Sequence, residues 1–437
     1  MFSYYVRLAW LSIRRNPILS SLMVAAIAVG IGASMTTITV NYAMGSNPIP
    51  HKSDALFAVQ VDSWDPNNPY REPNIPPDQL TYLDATALMA EAPAIRQTAM
   101  TKVFEVIEPE GEDVLPFEAL GRAAFGDFFA MFDVPFQYGN AWSRASDDNR
   151  ELVIVLSKET NEKAFGGENS VGNFIKVGGR NYKVIGVLDD FTPSPKYYDV
   201  TNGPFNDAED YYVPFNLVAE LELSRAGNTN CWKPNNESGF QGFLNSECIW
   251  IQFWAELPSA EDQEQYMAFL DNYVNSQKEL GRFPRPLNNQ LNNVMQWMAQ
   301  QNVVDDSAEV VMWLSIMFLA VCLLNTIGLL LTKFTTKTAE IGLRRALGAS
   351  KSTLFLQHLI ESAMIGVGGG IVGLFLAWLG LKGVVALFGQ DIASLATLDT
   401  NMIVSAIVLA IISAILAGIY PTWRACNIQP AVHLKTQ

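Results

Sequence analysis

The 437-residue chain is poor in the side chains that carry chemistry: it has three histidines, His51, His358 and His433, and four cysteines. With no HExxH and no CxxC, a zinc site would have to be assembled from carboxylates alone, so no metal site is expected. No GxxxxGK[ST] loop occurs in the sequence, which excludes P-loop nucleotide binding by these residues. Paired acids at Asp147-Asp148, Asp189-Asp190 and Asp305-Asp306 are neighbours in sequence, and neighbours on a strand or helix point apart. They read as solvated surface, and no residue stands out as catalytic; the chain reads as no enzyme.

Charge is missing in a more telling way. Residues 18–44, 310–331, 362–381 and 401–420 contain no Lys, Arg, Asp or Glu. Each run is long enough to cross a hydrocarbon core of about 30 Å, which takes roughly 20 helical residues. Four transmembrane helices are therefore expected. The first run resembles a signal peptide in following Arg14-Arg15, but it is longer than the 7 to 15 apolar residues of a signal core. It is expected to stay as an anchor.

Lys and Arg gather on the cytoplasmic side of short loops. Arg7, Arg14 and Arg15 precede the first run; Lys333, Lys337, Arg344, Arg345 and Lys351 lie between the second and third; Arg424 and Lys435 follow the fourth. Both termini are expected in the cytoplasm and residues 45–306 outside. That outer region holds 18 basic and 39 acidic residues, an excess that argues against nucleic acid as a partner and suits either solubility or cationic ligands.

The predicted division is a cytoplasmic amphipathic helix at 1–17, spans at 18–44, 307–332, 359–386 and 400–421, an external domain at 45–306, a cytoplasmic segment at 333–358 and a tail at 422–437. In the external domain LFAVQVD (56–62) and LVIVL (152–156) have strand patterns, while 77–89, SKETNEKAFGG and 261–280 have helical ones. FIKVGGRNYKVIGVL (174–188) is a hairpin signature around Gly178-Gly179. Residues 287–304 read as a polar helix continuing into the second span. Cys231 and Cys248 bracket a Pro-, Gly- and Asn-rich loop and are disulfide candidates in an oxidising space, with two free thiols as the alternative. Cys322 and Cys426 are not expected to pair.

Inside the spans polar residues are few. Asn325 lies in the second, and His358 and Glu361 sit at the mouth of the third, near enough to water to snorkel. The third carries GVGGGIVG, in which Gly366 and Gly370, and Gly369 and Gly373, have the spacing that lets helix backbones approach closely. Such packing serves either one bundle or a seam between two copies.

The segment KTAEIGLRRALGAS (337–350) flanks a span with positive charge, but it has further content. Glu340 sits at the favourable end of a helix; Ile341, Leu343, Ala346 and Leu347 form an apolar ridge; Arg344 and Arg345 are available to acidic partners; Gly348 suits a left-handed helix stop. Gly342 and Ala349 complete the run.

The order of these features resembles the MacB/FtsX type of ABC transporter permease. The likeness lies in VRLAWLSIRRNPILSSL before the first span, in GRAAFGDFFAMFDVPFQYGNAW and LVIVLSKETNEKAFGGENSVGNFIKVGGRNYKVIGVL outside, in EIGLRRALGAS, and in YPTWRACNIQPAVHLK at the end. It covers nearly the whole chain. The resemblance implies an α-helical membrane protein of the bacterial inner membrane with four spans and a large mixed α+β periplasmic domain, having porter-like segments around a Sabre-like part near 121–245. Residues 193–248 look like a long insert relative to that pattern. It implies that residues 340–349 receive the stroke of a separate ATPase dimer that binds ATP and Mg, with no cofactor in this chain. A second permease, identical or homologous, is implied, and membrane lipid surrounds the spans. A periplasmic adaptor and an outer-membrane duct would go with export. Signalling to cell-wall hydrolases and extraction of lipoproteins or lipids, as in LolC-like members, are the alternative roles.

Overall fold

The computed structural model describes residues 2–109, 114–235, 237–304, 306–388 and 400–426. Asp305, Asp391, Asp399, His433 and Lys435 lie outside them. In chain order the helices begin with α1 (Phe2–Arg15) and α2 (Pro17–Gly45), then β1 (Leu56–Gln60), β2 (Leu80–Thr81), α3 (Tyr82–Glu91), β3 (Arg96–Glu108) and β4 (Phe117–Ala124). Next come α4 (Asp127–Met131), β5 (Phe136–Gly139), α5 (Arg144–Asp148), β6 (Val153–Leu156), α6 (Lys158–Phe165), β7 (Phe174–Val177) and β8 (Arg180–Leu188). A 3₁₀ turn (Tyr197–Asn202), β9 (Tyr211–Pro214), α7 (Leu217–Leu221), α8 (Gly239–Leu244), β10 (Ile249–Glu256), α9 (Ala260–Glu279), β11 (Gln290–Asn293) and α10 (Val294–Gln300) follow. The chain closes with α11 (Asp306–Thr335), α12 (Thr338–Ala346), α13 (Lys351–Phe388) and α14 (Thr400–Cys426).

These elements fall into two units, one of residues 1–45 and 304–437, the other of 46–303. In the first, four helices are long and apolar enough to span a membrane: Pro17–Gly45, Ser307–Thr335, Lys351–Ala386 and Ile403–Cys426. α2 packs against both α11 and α13, and α13 also against α14. Met23, Ile27, Ile31 and Met35 of α2, four residues apart, form its buried stripe.

The glycines of α13 explain how closely these helices meet. A Cβ at Gly366 would lie 2.5 Å from that of Ala414 on α14, and one at Gly370 2.9 Å from that of Ala410. One at Gly369 would lie 2.6 Å from Ile27 on α2, and one at Gly373 2.9 Å from Ile31. The two pairs therefore serve two interfaces within the same bundle.

The second unit is built on an eleven-stranded sheet whose main path runs β11-β1-β10-β3-β4-β9-β6-β8-β5. Both faces are covered. Phe57 and Val59 of β1 and Ile154 and Leu156 of β6 turn to a core containing Tyr266, Leu270 and Val274 of α9. Leu56, Ala58, Val153 and Val155 turn to the opposite core with Phe128 of α4 and Trp297 of α10. The period-two alternation of a strand thus divides an almost wholly apolar sequence between two layers. Gly178 and Gly179, with φ of 54° and 77°, make the tight β7–β8 turn that favours residues without a Cβ.

Two expectations change, those for residues 287–304 and for Asp147. Residues 287–304 are not one helix: 290–293 add strand β11 to β1, and Asn293 then caps α10, accepting from Gln296 N in a reciprocal capping box. Residues 193–248 are integral to the sheet, since they supply β9, which sits between β4 and β6. Asp147 is not solvated surface; it is buried and accepts from Trp142 Nε1 at 2.8 Å and Gly126 N at 3.0 Å. The sheet itself shows no break at residue 121, which lies within β4 and pairs with Val103 of β3.

Candidate functional site

The helix α12 carries the residues that the sequence singles out. It ends as those residues require: Gly348 N donates to Arg345 O, Ala349 N donates to Arg344 O, and Gly348 adopts φ of 98°. This paired bonding stops a helix on a left-handed residue, which glycine adopts with little strain. At the other end Glu340 lies in the first turn and meets Arg344 at 2.5 Å.

The expected apolar ridge is divided by the fold. Ile341 is buried against the chain's own helices, while Leu343 and Leu347 are 56% and 81% exposed and Ala346 is exposed beside them. Leu343, Ala346 and Leu347 thus form a small exposed apolar strip on α12. Nor are the arginines free. Arg344 Nη1 donates to Gln357 Oε1 of α13 at 3.2 Å, and Arg345 Nη1 to Cys426 O of α14 at 3.3 Å. Both fasten α12 to two long helices.

Lys337, immediately before α12, connects it to a cluster that sequence reasoning missed. Glu361 of α13 does not snorkel; only 1% of its side chain is exposed. Its Oε1 lies 2.7 Å from Lys333 Nζ of α11, itself 0% exposed, and 3.7 Å from Lys337 Nζ. Ser12 of α1 donates its hydroxyl to Glu361 and accepts from Lys337. Lys333 also donates to Ser20 Oγ of α2 at 3.1 Å. His358, one turn before Glu361, packs its ring 4.5 Å from that of Phe334, and its Nδ1 lies 3.5 Å from Glu361 Oε2 without making a hydrogen bond. Burial lowers the Lys337 pKa, with Glu361 opposing the shift.

One carboxylate thus joins α1, α11, α13 and the start of α12, and through Lys333 it reaches α2. A buried ion pair is retained at a desolvation cost, so its geometry fixes the helices it links. The sequence signal was available in part: a lysine at the end of one apolar run and a glutamate at the edge of the next. Their pairing depends on helix packing that no local pattern encodes.

Between α1 and α12 lies a cleft of about 430 Å³. Arg15, Asn16, Lys337 and Arg344 line it, with Leu8, Leu11 and Leu354 as apolar wall.

In the sheet unit Cys231 and Cys248 are joined by a disulfide, beside an antiparallel bridge in which Asn230 N donates to Ile249 O at 3.0 Å and Ile249 N to Asn230 O at 2.9 Å. Cys322 and Cys426 are free and buried. A second buried ionic group holds the 3₁₀ turn to β4: Arg122 Nη2 lies 2.5 Å from Asp199 Oδ2 and also contacts Glu209, which Lys196 Nζ approaches at 3.3 Å. Tyr198 and Tyr212 donate their hydroxyls to Glu209 Oε2 at 3.1 and 3.2 Å. Despite the cost of burial, Arg122 and Lys196 hold the Glu209 pKa far down. This cluster is enclosed by aromatic rings and has structural work in holding residues 196–209 to the sheet. Among the described residues no group of His, Cys, Asp and Glu is placed to hold a metal ion.

Residues 20–273 match the MacB-like periplasmic core domain, and residues 312–430 the FtsX-like permease C-terminal domain. The macrolide export ATP-binding/permease protein MacB of Bdellovibrio bacteriovorus is 22% identical over 302 residues, covering 68% of this chain and 41% of its own. The pyoverdine export ATP-binding/permease protein PvdT of Pseudomonas aeruginosa is 22% identical over 415 residues, covering 95% and 54%. The chain spans between 41% and 60% of the length of the curated relatives it matches. The crystal structure of the periplasmic region of MacB from Actinobacillus actinomycetemcomitans aligns with 59% of this chain and 96% of its own, at 15% identity and a TM-score of 0.36.

Proposed function

The chain belongs to the MacB/FtsX family of ABC transporter permeases, membrane proteins with a periplasmic domain, and from that premise we propose that it converts ATP hydrolysis by a partner subunit into movement of its spans and periplasmic domain. The observation that carries the reading is the double character of α12. Its outer face presents Leu343, Ala346 and Leu347 to a partner, while Lys337, Ile341, Arg344 and Arg345 bind its inner face to the bundle. A displacement of α12 is therefore felt by α1, α11, α13 and α14 together.

In this reading α12 seats in a groove of an ATPase dimer, residues 340–349 take the stroke, and the termini lie in the bacterial cytoplasm. The work is export of a substrate from the periplasm or outer leaflet, alongside a second permease, a periplasmic adaptor and an outer-membrane duct. The export proteins named above are the ground for export over signalling or lipoprotein extraction.

The test is capture of the full chain from its native membrane. Wild type is expected to retain an ATP-hydrolysing subunit, and Leu343→Asp/Leu347→Asp to lose it while still inserting and folding. Equal retention by both would sink the assignment of α12. Co-purification with a cell-wall hydrolase or a lipoprotein carrier, and no adaptor, would replace export by one of the other roles.

A further inference from the structure

The cleft between α1 and α12 has a chemical character that force transmission does not use. Arg15, Lys337 and Arg344 bring cationic groups to it, with Glu340 at its edge held by Arg344 and Glu361 behind it held by Lys333. Counting these six side chains, four are cationic and two anionic, so the cleft and its backing keep an excess of positive charge. The amide of Asn16 and that of Gln357 add neutral donors. Its volume of about 430 Å³ lies within the roughly 300–1,000 Å³ of small-molecule sites.

The apolar side of the cleft sets its ligand class. Leu8, Leu11 and Leu354 stand beside the cationic groups, and Leu11 is 46% exposed. α1 is amphipathic, with Arg14 and Arg15 in its last turn and Tyr4 and Trp10 exposed. Basic residues beside aromatic and leucine side chains are the composition of a helix lying in a membrane interface. A ligand that satisfies both walls has an anionic phosphate and an attached apolar chain.

We propose that this cleft binds an anionic glycerophospholipid, with Arg15, Lys337 and Arg344 on its phosphodiester, a headgroup that unlike choline brings no cation into the positive cleft, and the acyl chains against Leu8 and Leu11. The lipid then fills the space between α1 and α12, so its occupancy sets how freely α12 moves against α1. Arg15 is the most dispensable of the three to the fold, because it is exposed, whereas Lys337 also contacts Glu361 and Arg344 contacts Gln357. The site goes beyond the coupling reading and does not need it, since no ATPase enters its test.

Native mass spectrometry of the full chain in detergent, titrated with phosphatidylglycerol and with phosphatidylcholine of the same acyl chains, tests the site. Phosphatidylglycerol is expected to bind with about tenfold preference or more, corresponding to one charge-assisted contact. Arg15→Gln is expected to abolish that preference with an unchanged unfolding temperature, and Arg15→Lys to keep most of it. Millimolar inorganic phosphate is expected to leave the lipid bound. Displacement by phosphate at a concentration matching the lipid would keep the anion site but assign its source to solution. Equal binding of both lipids, or a preference that survives both Arg15→Gln and Arg344→Gln, would overturn the proposal.

Discussion

Lys333 Nζ lies 2.7 Å from Glu361 Oε1, and both side chains are enclosed by the helix bundle. Removing one partner leaves the other charge buried and unpaired, which costs about 3–5 kcal/mol. Glu361→Ala is therefore expected to lower the unfolding temperature of the detergent-solubilised chain sharply. Lys333→Met/Glu361→Leu, which removes both charges of the pair, is expected to recover part of that loss, since apolar replacements of a buried pair are often neutral, while Lys337 still loses its carboxylate partner. If the pair also fixes α12 against the spans, the double variant stays stable while the proposed ATPase partner hydrolyses ATP without coupled work. Full coupling in a stable double variant would reduce the pair to a packing feature.

Gly342 gives a cleaner test of the surface of α12. A Cβ there meets nothing within 4 Å, so the first carbon of a side chain is accommodated, and Gly342→Trp adds a large ring to the helix. Replacing an interior helical glycine also favours the helix by about 0.5 kcal/mol. Unfolding temperature is expected to be unchanged or slightly raised, while association with the proposed ATPase partner falls by tenfold or more. Arg344→Glu/Arg345→Glu is expected to behave differently, because it also breaks bonds to Gln357 and Cys426. A stability loss in the reversal but not in Gly342→Trp separates the two effects.

What could be read from residues alone follows a physical division. Local patterns marked the four spans, the Gly178-Gly179 hairpin, the Gly348 helix stop and α9, because burial period and backbone conformation are short-range properties. Long-range pairing was not legible. Lys333 and Glu361 stand at the edges of successive apolar runs, but nothing local pairs them with each other or with Ser12 on α1. Ile341 looked like part of an outward ridge because helical spacing gives a face without saying which neighbour covers it. The strand β11 was hidden for a similar reason: Gln290, Leu291, Asn292 and Asn293 have little strand propensity, and pairing with β1 overrides it.

The Cys231–Cys248 bridge closes a loop with a sequence separation of 17. On chain-entropy grounds a loop of this size is worth about 3 kcal/mol. The adjoining Asn230–Ile249 bridge holds the same two chain segments together after reduction, so the loop ends stay close in the folded state. Cys231→Ser/Cys248→Ser is therefore expected to lower the unfolding temperature of the sheet unit while preserving its fold. A reductant should produce the same shift in wild type and none in the variant. Equal reductant sensitivity in both would place the effect elsewhere.

Asp147 ties pH to stability with a definite sign. Burial is the leading cause that pushes its carboxyl up to about 7 from the usual 3.8, against the opposing hydrogen bonds from Gly126 N and Trp142 Nε1. The folded state therefore holds this proton over a range where the unfolded chain has released it. The stabilising contribution is complete below about pH 4 and is lost as pH rises toward 7. Glu209 acts in the opposite sense, since its depressed pKa protects the fold until pH falls below the ordinary glutamate range. Above about pH 5 only the Asp147 effect of these two is titrating. Asp147→Asn removes that titration and leaves one of the two donors without its acceptor, a loss of about 1–3 kcal/mol. The variant is expected to be least stable relative to wild type at pH 5, and the gap to narrow by pH 8. Unfolding temperatures that run parallel across that range would show that Asp147 is ionised throughout and that its burial is balanced by its two donors.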